Sequence, residues 1–171
     1  MFWIVDADAE IENNFDFSYY VPVYERNHVH VWRSKNPING LEYGYGGVKL
    51  FPTESTLHMN TDTTDMTTSI SKHFKAMDTV SNMTAFNTDP FNTWKSAFRE
   101  CVKLSSGAID RHNKEETAQR LNVWTTIGAD KKYGKYALDG AKAGLKFGSD
   151  KNNNLKLIND FAWLEEQFND R

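Results

Sequence analysis

FWIVDADAEI occupies residues 2–11. Four apolar residues, Phe2 to Val5, run straight into Asp6-Ala7-Asp8. The run is short, aromatic and β-branched, which predicts a buried strand over Phe2–Asp6. Residues two apart share one side of a strand. Just past the strand end, the carboxylates of Asp6 and Asp8 can therefore converge on one point. Two hard oxygen ligands at that spacing suit Mg²⁺ or Mn²⁺, which keep water and phosphate oxygens as further ligands. Asp is also favoured in turns that follow strands, so a polar turn accounts for the same residues.

The chain has 171 residues, enough for one domain with a real core. Hydrophobic residues make up 39% and charged residues 25%, which places it among globular rather than disordered chains. No apolar run approaches a membrane span, and no basic start followed by a long apolar segment marks secretion. Cys101 is the only cysteine, which excludes an internal disulfide and fits a reducing cytoplasm. A net charge of −3 argues against non-specific coating of nucleic acid, while leaving room for a local basic groove.

The pattern changes near residue 90. Before it, short β-rich runs alternate with turn residues: Phe2–Asp6, His28–Arg33, Gly46–Phe51 and Val80–Phe86. Thr53–Asp65 reads as loop or short helix. After it, four apolar stripes keep helical spacing. They are Phe91, Trp94, Phe98, Cys101 and Ser105; Ala118, Leu121 and Trp124; Tyr133, Ala137, Gly140, Gly144 and Phe147; and Leu157, Phe161, Leu164 and Phe168. The small residues of the third stripe predict close approach to a neighbour. The expected fold is α/β to α+β, a single domain over 1–171. Residues 1–90 would form a mixed sheet flanked by helices, and 91–171 a helical C-terminal portion.

Other residues carry two readings each. Gly44, Gly46 and Gly47 let backbone approach a ligand, or simply form a turn or bulge. Asp89 before Pro90 is a helix start with an N-cap carboxylate. A fixed carboxylate of that kind also suits a general base, although capping lowers its pKa. Lys95, Arg99 and Lys103 recur every fourth residue. They are either a solvated face or phosphate contacts. Ser34-Lys35-Asn36 is a second polar and basic cluster. Trp32 and Tyr45 suit stacking on a ring, but aromatics at strand positions are more often core. His28 and His30 share a strand face and read as packing or surface residues, and Cys101 reads as a buried structural thiol.

FWIVDADAEI resembles the metal motif of GT-A-fold glycosyltransferases. VHVWRSKNPINGLEYGYGGVKLFPT (residues 29–53) and NTDPFNTWKSAFRE (residues 87–100) are similar to blocks of phage-encoded TET-associated glycosyltransferases. The resemblance implies a partial GT-A-like sheet, from the Asp-x-Asp motif onward. It implies Mn²⁺ or Mg²⁺ held by Asp6 and Asp8, and a nucleotide-sugar donor, expected to be a UDP-sugar. Gly46 and Gly47 would lie against the donor sugar or the acceptor, Lys95 and Arg99 would contact phosphate of the donor or of DNA, and Asp89 would be the base. The implied acceptor is 5-hydroxymethylcytosine in phage DNA, and the implied location the infected-host cytoplasm. In such folds a nucleotide-binding region precedes the motif, and here only Met1 precedes Phe2. A longer gene, a separate N-terminal partner half, or a non-catalytic binding or assembly protein retaining this remnant each fits. A strand stripped of its parallel neighbours predicts self-association through an apolar edge, or marginal stability.

Overall fold

A computed structural model describes residues 1–19, 25–26, 28–44, 47–54, 74–108 and 113–171. The chain divides into two compact units. One contains Met1–Asn36 and Glu42–Ala85; the other contains Pro37–Leu41 and Phe86–Arg171. The first is a mixed sheet and the second is helical, so the protein is mixed α/β.

The first unit has strands β1 (Phe2–Val5), β2 (Ala9–Ile11), β3 (Val29–Lys35), β4 (Glu42–Tyr43), β5 (Val48–Phe51) and β6 (Phe74–Thr84). Their order is β1-β5-β3-β6-β2, with β4 also paired to β3. Among the described residues only the β3–β6 pair is parallel; the other pairs are antiparallel. β3 is central because its first four residues, Val29-His30-Val31-Trp32, bury both faces of the strand. On one face Trp32, Val48 and Leu50 pack with Trp3, Ile11 and Phe15. On the other, Val29, Val31 and Phe51 pack with Phe2 and Ile4. Period-two alternation sorts the residues between these two layers.

β1 stands at one end of the strand order and pairs antiparallel with β5, not inside a parallel sheet as the resemblance implies. Its alternation places Phe2 and Ile4 opposite Phe51 and Lys49. The fourth strand is longer than the Val80–Phe86 pattern suggests, because β6 continues back to Phe74 along β3. Of the Thr53–Asp65 segment, residues 55–65 lie outside the described residues.

The second unit contains α1 (Pro90–Ser106), α2 (Lys114–Thr126), α3 (Gly134–Ser149) and α4 (Phe161–Asn169), with a 3-10 turn over Leu155–Asn159. α3 lies directly on the α1 backbone. A Cβ on Gly140 would sit 2.3 Å from the Trp94 carbonyl oxygen, and one on Gly144 equally 2.3 Å from that of Phe98. The small-residue stripe therefore makes the close approach its spacing predicts. Trp94, Phe98, Val102, Ile158 and Leu164 fill the core between the helices. The fourth apolar stripe is not one helix. Asp160 breaks it, because its side chain accepts from the Trp163 amide (3.1 Å) and so starts α4 afresh. The described residues include no helix long and apolar enough to cross a membrane.

Candidate functional site

Asp6, Ala7 and Asp8 form the turn between β1 and β2. Backbone bonds fix it at both ends. The Asp6 amide donates to the Gly47 carbonyl (2.7 Å), and the Ala85 amide donates to the Asp8 carbonyl (2.6 Å). Gly47 precedes β5 and Ala85 follows β6, so three residues bridge two strands separated by β3. Both side chains are exposed, and both line one cleft of about 170 Å³ with Ser34, Tyr43, Gly47, Asn82 and Thr84. The turn thus brings the two carboxylates to a common space, as their spacing predicts.

The far wall of the cleft is a polar layer inside the sheet. Ser81, Asn82 and Ser34 are buried. The Ser81 hydroxyl donates to Asn82 Oδ1 (3.0 Å), Asn82 Nδ2 donates to Ser34 Oγ (3.0 Å), and Ser34 Oγ meets Thr84 Oγ1 at 2.7 Å. Ser34 Oγ accepts from Asn82 and shares one proton with Thr84, in either direction. Thr84 is the last hydroxyl of the chain. Buried polar groups are costly unless bonded, and a layer satisfied in this way fixes one geometry. Asn36 Nδ2 also donates to the Tyr43 hydroxyl (3.4 Å).

Asp6 has a partner that sequence reading did not foresee. Lys49 Nζ donates to both of its carboxylate oxygens, at 3.0 and 3.1 Å. The Lys49 side chain is 7% exposed, against 46% for Asp6. The signal was present: a lone lysine in VKLF, a strand buried at all four positions, requires a carboxylate nearby. Ser34, Ser81 and Asn82 had a similar signal, being polar residues inside strand patterns. Asp8 has no comparable lysine among the described residues. Nor do those residues contain a cluster of three or more His, Cys, Asp or Glu side chains placed to hold a metal. A two-carboxylate site still suits Mg²⁺ or Mn²⁺, which draw remaining ligands from water and phosphate. A cation held there would have to share or displace Lys49 at Asp6.

Gly47 lines this cleft, but internal packing already explains its missing side chain. A Cβ there would lie 2.8 Å from Ala9 Cβ. Gly46 and Tyr45 lie outside the described residues, as do His58, His73 and His112. Trp32 is core, ringed by Trp3, Phe15 and Tyr19. His30 is fully buried between the Met77 sulfur and the Glu25 carbonyl. Burial holds its pKa below the usual imidazole range. Cys101 is buried in α1, and burial pushes its thiol far above the ordinary range, which leaves it inert as a nucleophile.

Asp89 belongs to the helical unit and caps α1. Its Oδ1 accepts from the Asn92 amide (2.8 Å); its Oδ2 accepts from Asn92 Nδ2 (2.6 Å) and Thr88 Oγ1 (3.0 Å). The Asn92 backbone bond, followed by its side-chain bond, lowers the Asp89 pKa below the usual carboxylate value. Serving as a base would require giving up some of these bonds. Lys95 and Arg99 lie half-buried on α1 in the same unit. No family model, curated protein or solved structure matches the chain.

Proposed function

We propose that the Asp6–Asp8 cleft binds a divalent cation together with the diphosphate of a nucleotide sugar, as the metal-binding part of a GT-A-like glycosyltransferase. The observation that carries this reading is the convergence of Asp6 and Asp8 on one cleft whose far wall is a bonded polar layer. When bound, the cation would supply counter-charge for a departing diphosphate. Asp8 and Asp6 would hold it. The Thr84 hydroxyl would hydrogen-bond the ligand, and the Ser34–Asn82 layer would hold that hydroxyl in place. Mn²⁺ or Mg²⁺, a UDP-sugar donor and 5-hydroxymethylcytosine in phage DNA as acceptor follow from the sequence resemblance. The test is Mn²⁺ titration by water-proton relaxation, with and without UDP-sugars, followed by sugar transfer to hydroxymethylated DNA. Wild-type protein should bind Mn²⁺ and Asp8→Ala should not. Equal binding by both proteins rejects the site.

One observation favours a second reading, a non-catalytic binding protein that retains the glycosyltransferase remnant. Lys49 already neutralises Asp6 from inside the sheet, so only the Asp8 carboxylate of the pair lacks a lysine partner among the described residues. On this reading the cleft takes a hydroxylated ligand by hydrogen bonds alone, and binding survives EDTA.

A further inference from the structure

Helix α1 carries Lys95, Arg99 and Lys103 one turn apart, yet the three differ. Lys103 is paired with Glu100 at 3.9 Å. Among the described residues, neither Lys95 nor Arg99 has a carboxylate within 4 Å. Burial lowers the pKa of each, and Arg99 further lowers that of Lys95. Two half-buried cations one helical turn apart repel, and an anion between them would relieve that repulsion.

Neutral contacts orient these cations. Lys95 Nζ donates to Asn92 Oδ1 (2.6 Å) and lies 4.5 Å from the Phe161 ring centroid and 5.2 Å from that of Phe91. Arg99 Nη2 donates to Asn159 Oδ1 (2.9 Å). Its Nε is buried and makes no hydrogen bond among the described residues. Phe161, the first residue of α4, remains 59% exposed. This exposed ring has the Lys95 ammonium over it, and the Arg99 guanidinium is held by Asn159, two residues before it in the chain. Asp89 and Glu100 act on Lys95 and Arg99 only through space.

We propose that this face of the helical unit binds a phosphate carried next to a planar base, with Lys95 and Arg99 on the phosphate and Phe161 under the base. The ligand is a nucleotide or a single nucleic-acid strand; both present that chemistry. Guanidinium and ammonium together match phosphate oxygens, and stacking on an exposed ring tolerates any base. The site lies within one compact unit and does not depend on the Asp6–Asp8 reading.

The full chain should be titrated with fluorescently labelled oligo-dT, with thymidine monophosphate, with thymidine and with inorganic phosphate. Wild-type protein should bind the phosphate-bearing thymine ligands more tightly than either thymidine or phosphate alone. Arg99→Gln and Lys95→Gln should each weaken that binding by about tenfold and reduce the slope of log affinity against log salt by about one. Phe161→Ala should weaken oligo-dT binding by about tenfold and leave inorganic phosphate unchanged. Lys103→Gln should have no effect. Tighter binding of oligo-dT than of the mononucleotide identifies a strand as the ligand; equal affinity per site identifies a nucleotide. Absence of binding at millimolar ligand overturns the proposal. So does an effect of Lys103→Gln equal to that of Arg99→Gln, which would mark a non-specific basic stripe. Phe161 is largely exposed, so its variant should fold and keeps the test decisive if a charge variant does not.

Discussion

Replacing Asp6 with alanine should destabilise the sheet unit for a reason unrelated to metal binding. Lys49 is 7% exposed on its side chain, and both oxygens of Asp6 hold its ammonium. Without Asp6 the ammonium is stranded beside Val31 and Ile4, its neighbours across β3 and β1. Breaking a fully buried pair from one side costs about 3–5 kcal/mol. Asp6 is 46% exposed, so water reaches this pair, and about 1–3 kcal/mol is the appropriate range. The reverse change is cheaper. Lys49→Met leaves a carboxylate that water can solvate and removes a desolvated ammonium, for about 0–1 kcal/mol. The double variant should then recover most of the loss, with a coupling of about 1–2 kcal/mol. Urea unfolding followed by both tryptophan fluorescence and far-ultraviolet dichroism measures all three variants. Wild-type stability for Asp6→Ala, or a double variant whose cost equals the sum of the singles, would refute this reasoning. The practical consequence is that Asp8, not Asp6, is the informative position for the metal test. A dead Asp6 variant reports fold and ligand together.

Gly144→Ala places a methyl 2.3 Å from the Phe98 carbonyl oxygen, where ordinary contact begins at 3.4 Å. α3 must withdraw by about 1.1 Å. This overpacking should cost about 1–3 kcal/mol even after the helix-propensity gain of alanine, and a thermal melt with unchanged midpoint would contradict it. Adding Gly140→Ala should cost less than the same change alone, since both push α3 the same way. Asp89→Ala should lose about 1 kcal/mol of helix stability at neutral pH, and Asp89→Asn much less. Because folding lowers the Asp89 pKa, its stabilisation is complete above the unfolded carboxylate value. It fades as pH falls through the lower folded value, so the gap between wild type and Asp89→Asn should shift below the unfolded carboxylate value in acid titrations. Cys101 should resist thiol reagents until urea unfolds the helical unit; stoichiometric labelling of folded protein would contradict its burial.

The parts legible in sequence were those with strong local periodicity. FWIV, HVHVWR and GGVKLF became β1, β3 and β5, and the first three helical stripes became α1 to α3. β2 and β4 have three and two residues, too short for any period to register. β6 extends through Lys75-Ala76-Met77-Asp78, which carries no strand pattern; pairing with β3 sets its length. The last stripe kept its apolar spacing, but Asp160 offered a cap that periodicity alone did not weigh. At the site, Asp6 and Asp8 were visible because they are neighbours in sequence. The lone lysine in VKLF called for a carboxylate, but its partner was not legible, because the contact between Lys49 and Asp6 is created by the β1–β5 register.

The turn that carries Asp6 and Asp8 also ties the start of β5 to the end of β6. Ligand occupancy and sheet cohesion are therefore one mechanical quantity. Any molecule that immobilises those two carboxylates holds the strand ends on both sides of β3. Amide hydrogen exchange at Asp6, Ala9 and Ala85, the three donors around the turn, should slow in concert when the right ligand is added. Slowing of those three amides beyond the rest of the sheet identifies the cleft's ligand without an activity assay, because a molecule bound elsewhere slows amides only through the stability of the whole fold.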